Sequence, residues 1–292
     1  MRYTAIILSA LGALLLVWSA QPLLLMWQEM STGDRVRQEL QIDRIYANDV
    51  WNQVSILGDG PTIPVPNMTV TNTILSGGKS LDLHTMEDYY KILSQSGETA
   101  LQYAREYTWE GNTIRVQDEI EPGLHQQDSR QTASLSITIN DADWSAASSV
   151  DVRPYFLDEN RYHGYFGMLA VKEKGVEKLL LIQRVTGTDP DFVKEKELGW
   201  RILTIEKNGS VQEDIFAYED RAAIPKRVNF VNLSSTSPIS LGYRSNILQG
   251  WPNLFFPLLY PWTSGLVGLL LLITGGTWGL VKLRMKRRVK RC

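Results

Sequence analysis

The chain is poor in the residues that most often carry metal or covalent chemistry, with one cysteine, Cys292, and three histidines in 292 residues. A single thiol excludes intrachain disulfides, so any folded body must rest on its hydrophobic core. His84, His125 and His163 fall in separate segments, with no HExxH and no His-x-His spacing, which leaves a zinc site without a starting point. No Gly-x-Ser-x-Gly elbow is present, and the simplest serine-hydrolase reading goes with it. Fixed-period repeats and low-complexity runs are missing. Acids are absent from both ends: none precedes Glu29 and none follows Asp220.

Hydrocarbon fills those ends. Ala5–Trp27 is a run of 23 uncharged residues, AIILSALGALLLVWSAQPLLLMW. A hydrocarbon core of ~30 Å takes about 20 helical residues at ~1.5 Å rise each, so the run predicts a transmembrane helix over 5–27 after a four-residue N-terminus, 1–4. The competing reading is a cleaved signal peptide, with Arg2 as its basic region and Val17 and Ser19 at recognition positions. The apolar run continues through Leu23–Trp27, longer than such a peptide needs, which favours an uncleaved anchor. Pro22 lies near the outer end, where a helix break is tolerated.

Trp262–Val281 is a second uncharged run, of 20 residues. Trp251, Phe255, Phe256 and Tyr260 precede it, interspersed with Pro252, Pro257 and Pro261. Ring bodies with polar edges suit a headgroup zone, so a second transmembrane helix is predicted over 258–281. Directly after it, 282–292 holds seven cations: Lys282, Arg284, Lys286, Arg287, Arg288, Lys290 and Arg291. Short basic flanks resist translocation, which places this basic tail and Arg2 on the cytoplasmic side. The expectation is a two-pass protein of the plasma (cytoplasmic) membrane, both termini inside and 28–257 outside. Of the 30 Lys and Arg residues, those eight lie at the ends, leaving 22 against all 32 acids in the body. An acidic body repels a phosphate backbone, so nucleic acid is not an expected partner.

Within the body, 28–57 has few breakers and reads as a helical stalk capped at Ser31, Thr32 or Asp34. Gly58-Asp59-Gly60-Pro61, Pro64 and Pro66 end it. A short helix is expected at Thr85–Ser94, where Thr85 and Asp88 form a capping box. Most of the rest reads as strands: Tyr103–Trp109, Thr113–Ile120, Ala133–Ile139, Val150–Phe156, Tyr165–Val171, Lys178–Val185, Trp200–Ile205, Val211–Tyr218, Val228–Val231 and Ile239–Tyr243. Asn208-Gly209 is a hairpin signal of type I′, in which both central residues need positive φ. Turn signals recur every eight to fifteen residues. The predicted fold is mainly β, an antiparallel sandwich or curved sheet stack with one or two short helices, between two transmembrane α-helices.

Chemical motifs in the body are weak. Ser76-Gly77-Gly78-Lys79 matches Ser-x-x-Lys, but two internal glycines favour a turn over the helix that motif needs. Gly78-Lys79-Ser80 lacks the leading glycine of a phosphate loop, since position 73 is threonine. Asn140-Asp141-Ala142-Asp143 with Ser145 offers oxygen ligands, yet the glycine and the bidentate acid of a calcium loop are missing, and an Asx-rich turn is expected. Glu106, Glu110, Asp118 and Glu119 are the acids that would serve a glycosidic mechanism if they paired across the 103–120 hairpin. Cys292 is followed by no C-a-a-X pattern. No catalytic, cofactor-binding or metal-binding residue is assigned, and no cofactor is expected.

The spans carry the better signal. Small residues on one stripe let helix backbones approach closely in lipid. Ala5, Ser9 and Ala13 recur every four residues on the first span; Ser264 with Gly268, and Gly275 with Gly279, do so on the second. They predict that the spans pair with each other, with a second copy or with a partner membrane protein. The sequence thus points to a two-span envelope protein in contact with the lipid bilayer, whose β-rich domain is a binding, scaffolding or regulatory module within a membrane complex. The eleven-residue tail leaves any inward signal to a partner in the membrane. An extracytoplasmic ligand sensor is the alternative, followed by an envelope hydrolase.

Overall fold

A computed structural model describes residues 2–45, 68–76, 79–81, 102–120, 131–146, 149–152, 165–186, 194–249 and 258–289. In chain order these form helix α1 (Arg2–Glu39), twelve strands, helix α2 (Pro225–Ser234) and helix α3 (Ser264–Val289). The chain divides into two units, one made of Met1–Arg35 with Ser240–Cys292 and the other of Val36–Ile239.

In the first unit, α1 passes through Pro22 and continues without a new start past Ser31, Thr32 and Asp34. Ser31 donates to the Gln28 carbonyl instead of capping, and Thr32 is buried inside the helix. The expected separate stalk helix is therefore the tail of the first apolar helix. It stops at Glu39, and residues 41–45 are a strand rather than helix. Residues 46–57 of the expected stalk, and the short helix at Thr85–Ser94, lie outside the described residues. A π-type turn, Leu258–Thr263, with an extended Tyr260, leads into α3. Both α1 and α3 are long and apolar enough to cross a membrane.

The second unit is mainly β, with two antiparallel sheets. One has five strands in the order β1 (Gln41–Ile45), β9 (Phe166–Glu173), β10 (Val176–Thr186), β11 (Gly199–Glu206) and β12 (Val211–Ala217). The other runs β3 (Lys79–Leu81), β2 (Met68–Ser76), β4 (Gln102–Trp109), β5 (Asn112–Ile120), β6 (Gln131–Ile139) and β7 (Ala142–Asp143), with β8 (Ser149–Val152) also on β6. Two-residue turns with both φ positive join β4 to β5 at Glu110-Gly111, β6 to β7 at Asn140-Asp141 and β9 to β10 at Lys174-Gly175. At Asn208-Gly209 only the glycine has positive φ, +84°. The expected type I′ turn is replaced by a longer loop, closed by Gly209 N–H to the Glu206 carbonyl and Glu206 N–H to the Ser210 carbonyl. A type I turn followed by a left-handed glycine accounts for that pattern.

The burial pattern explains which strands alternate. Ile114 and Val116, and Leu135, Ile137 and Ile139, are buried while Thr113, Arg115 and Ser136 between them are exposed. That sheet buries one face. In the five-stranded sheet FGMLAV of β9 and LLLIQR of β10 are buried without a break, because both faces are covered. The inner faces of both sheets share one cluster, including Tyr107, Ile137, Phe166, Met168, Leu181 and Leu203. On the opposite face of the five-stranded sheet lie Leu169, Leu180, Ile182 and Trp200, and α2 packs there through Val228 and Val231. Gly167 of β9 allows the approach, since a Cβ would stand 2.5 Å from the Ser234 carbonyl oxygen.

Two expected strands are corrected here. Val228–Val231 belongs to α2: Pro225 opens the helix and Val228, Val231 and Ser234 recur every three residues on its buried side. Ile239–Tyr243 forms no strand. Beside α2, Lys226 holds two carboxylates, Glu39 at 3.0 Å and Glu173 at 3.1 Å. Hydrogen bonding to Lys226 lowers the Glu173 pKa below its ordinary value, and hydrogen bonds from Glu39 and then Glu173 raise that of Lys226. The depressed acid contributes stability present above the unfolded carboxylate pKa and lost as pH falls through the folded one. The raised lysine contributes stability present below its unfolded pKa and lost as pH rises through the folded one. Lys226→Met is therefore expected to lower stability by about 0.5–1 kcal/mol near neutrality, given the partial exposure of the pairs. Thermal midpoints across pH should show this gap closing at both the acid and the alkaline end.

Candidate functional site

The first candidate is the seam between the two apolar helices, which run antiparallel. On α1 the buried positions Ala5, Gly12, Ser19 and Met26 are spaced by seven residues, and on α3 Gly268 and Gly275 share that spacing. A seven-residue period keeps one stripe facing its neighbour along a gently supercoiled pair. A Cβ on Gly12 would lie 2.6 Å from the Gly268 carbonyl oxygen and 2.6 Å from the Leu272 nitrogen. A Cβ on Gly275 would lie 2.9 Å from the Ala5 carbonyl oxygen, with Ser9 beside it. Ser19 Oγ and Ser264 Oγ are 2.8 Å apart, and Ser264 donates to the Pro261 carbonyl, which makes Ser19 the donor of the pair. Trp18 and Tyr260 meet edge to face, and Tyr260 Oη donates to the Trp18 carbonyl at 3.0 Å.

The small residues singled out from sequence fall in different places. Ala5, Ser9, Gly268 and Gly275 come together on the seam. Ala13 lies on the exposed flank, and Gly279 has nothing within 4 Å of where its Cβ would be. Gly12 and Ser19 were legible only to a search at a spacing of seven. Just beyond the apolar run, Glu29 is 4% exposed and accepts hydrogen bonds from three consecutive backbone N–H groups: Tyr243 at 2.8 Å, Arg244, and Ser245 at 2.6 Å. A carboxylate in such a concave backbone nest satisfies donors that would otherwise be lost on burial.

The second candidate lies in the β unit, where the edges β7 and β12 of the two sheets frame an open groove of about 630 Å³. Asp143, Trp144, Ser145, Thr186, Arg201, Glu213 and Ile215 are among its lining residues. Arg201 is 5% exposed; its Nε donates to Glu213 and its Nη1 to the Trp144 carbonyl at 2.5 Å. A guanidinium on an inward register of a buried strand is costly unless paired, and both bonds serve that end. Asp143 Oδ1 accepts from the Ser145 hydroxyl at 2.5 Å and its N–H at 2.9 Å, which lowers the Asp143 pKa. The Asn140–Ser145 stretch is therefore a hydrogen-bonded turn. Asn140 is spent on Asn112 and Thr113 rather than facing a cation.

The other sequence candidates stay apart. Arg115 stands opposite Glu106 across the β4–β5 ladder, and Tyr103 stands opposite Asp118. Glu119 pairs in register with Ser134, while Glu110 binds Lys207 at 3.1 Å. Ser76 and Lys79 face each other across the end of the β2–β3 hairpin. His84, His125 and His163 lie outside the described residues. Sequence reading passed over Arg201 and Glu213. The available signal was parity, because Arg201 shares the inward alternation of Leu203 and Ile205, and Glu213 that of Val211. No protein-family model matches this chain, and no curated protein and no solved structure matches it.

Proposed function

We propose that this chain is a two-pass protein of the plasma membrane, with residues 5–27 and 258–281 as spans, both termini cytoplasmic, and 28–257 an extracytoplasmic domain. That domain, a two-layer antiparallel sandwich, acts as a binding or regulatory module within a membrane complex. One observation carries the reading. Among the described residues every exposed large apolar side chain except Val176 and Ile215 lies on α1 or on the turn and helix that end in α3. Ile6, Val17, Leu14, Leu266, Ile273 and Leu280 are more than half exposed and turn away from the seam. Water penalises such a surface at roughly 25 cal/mol per Å², whereas lipid accepts it. The close seam then meets the need for packing contacts where the hydrophobic effect no longer drives association. The seven tail cations support an inside C-terminus. The module assignment is tested by crosslinking in native membranes, followed by extraction in a mild detergent. An assembly heavier than the monomer, crosslinked through the β body to a membrane protein, is expected. Recovery of isolated monomer alone contradicts a role within a complex.

A further inference from the structure

The groove between β7 and β12 combines groups that only donate with groups that only accept. Arg201 is the donor: Nε and Nη1 are engaged, and Nη2 has no hydrogen-bond partner among the described residues. Asp143 Oδ2 and Glu213 Oε2 are acceptors left over after Oδ1 has taken Ser145 and Oε1 has taken Arg201. Gln183 stands directly opposite Arg201 across β10 and β11, is 3% exposed, and its buried Oε1 has no hydrogen-bond partner among the described residues. Val185, Ala146 and Ile215 supply aliphatic surface, and Ile215 is 66% exposed. A nearly buried guanidinium lining the groove, next in register to an unsatisfied buried amide beneath it, is expensive without a ligand.

We propose that this groove binds a saccharide unit, with Asp143 and Glu213 accepting from ring hydroxyls, Arg201 donating to them, and Ile215 and Val185 lying under the C–H face. Vicinal hydroxyls both donate and accept from neighbouring atoms, which is what the lining asks of a ligand. An anion meets two carboxylates against one guanidinium. A simple cation meets Arg201. The groove volume falls in the range of about 300–1,000 Å³ usual for small-ligand sites. This inference rests on the binding-module reading and names its ligand class.

The test uses the full chain in lipid nanodiscs, which avoids sugar-based detergents. Chitobiose, maltose and mannobiose are the probes, with spermidine and citrate as contrasts, followed by saturation-transfer NMR and calorimetry. Saturable binding of at least one disaccharide is expected, with transfer to its ring C–H protons. Asp143→Asn should weaken it at least tenfold and Ile215→Glu should do the same; both residues are exposed, so the fold survives either change. Glu213→Gln serves as a further variant, judged only if its melting point is retained. Binding of none of the disaccharides, or binding insensitive to Asp143→Asn and Ile215→Glu, overturns the proposal. Tight binding of spermidine or citrate in their place overturns it as well. Failure here alongside a crosslinked complex in native membranes refutes the saccharide and leaves the module reading standing. A monomer without complex that still binds the disaccharide does the reverse.

Discussion

Gly12→Leu is expected to part α1 from α3. The new side chain has nowhere to go, because its first carbon already falls 2.6 Å from the backbone of both Gly268 and Leu272. Backbone cannot rotate aside as a flexible side chain can, so the helices themselves must move. The cost should reach or exceed the ~1–3 kcal/mol typical of overpacking. Ser19→Cys with Ser264→Cys gives the readout, since the two hydroxyl oxygens are 2.8 Å apart. In a Cys292→Ser background these thiols should oxidise to a disulfide in membranes, and Gly12→Leu should abolish it. Ala13→Leu is the matched control: one residue along, on the exposed flank, it should leave the disulfide intact. If Ala13→Leu disrupted the crosslink and Gly12→Leu did not, the seven-residue seam would be wrong.

The β body should respond most strongly at Trp200. Its side chain is fully buried, its ring stacks on Phe216 at 5.7 Å between centroids, and its Nε1 donates to the Thr236 carbonyl at 3.1 Å. Trp200→Ala removes a large buried surface and leaves that carbonyl unanswered, on the face of the five-stranded sheet opposite the shared core. The expected loss is about 3–5 kcal/mol, read as an earlier denaturant midpoint with unchanged slope. Trp200→Phe should recover part of it, because the ring is kept while the donor is not. Equal and small effects for both would mean that this face is loosely packed.

Particular residues show where the sequence was readable. Gly111 and Gly175 sit in tight hairpins at positive φ, where a left-handed turn suits the twist of two paired strands and glycine is the legible choice. The third such turn, Asn140-Asp141, has no glycine; its side-chain oxygens marked an Asx-rich turn, and the hairpin it makes was not foreseen. Val228–Val231 read as strand because β-branched residues favour strands, but a proline start and a three-residue burial period outweighed that preference. Gln41–Ile45 read as helix for want of breakers, yet β9 offered it an edge to pair with, and pairing is a tertiary fact. The two apolar helices were plain from composition. Their seam was only half plain, since a spacing of four fits an ideal stripe locally and a spacing of seven follows the pair over its length. The groove was the least legible part: Arg201 and Glu213 are neighbours on the β11–β12 hairpin, but Asp143 lies far off in the chain on the other sheet, and only the packing of the two sheets brings it to them.

The most direct measurement is thiol labelling of intact cells with a membrane-impermeant maleimide. Cys292 is the single native thiol, and Ser210→Cys, in an exposed hairpin loop, adds one to the β body. Cys292 should stay unlabelled until the membrane is opened, while Ser210→Cys should label at once. Labelling of Cys292 in sealed cells, or protection of Ser210→Cys, would contradict a body held outside by two spans.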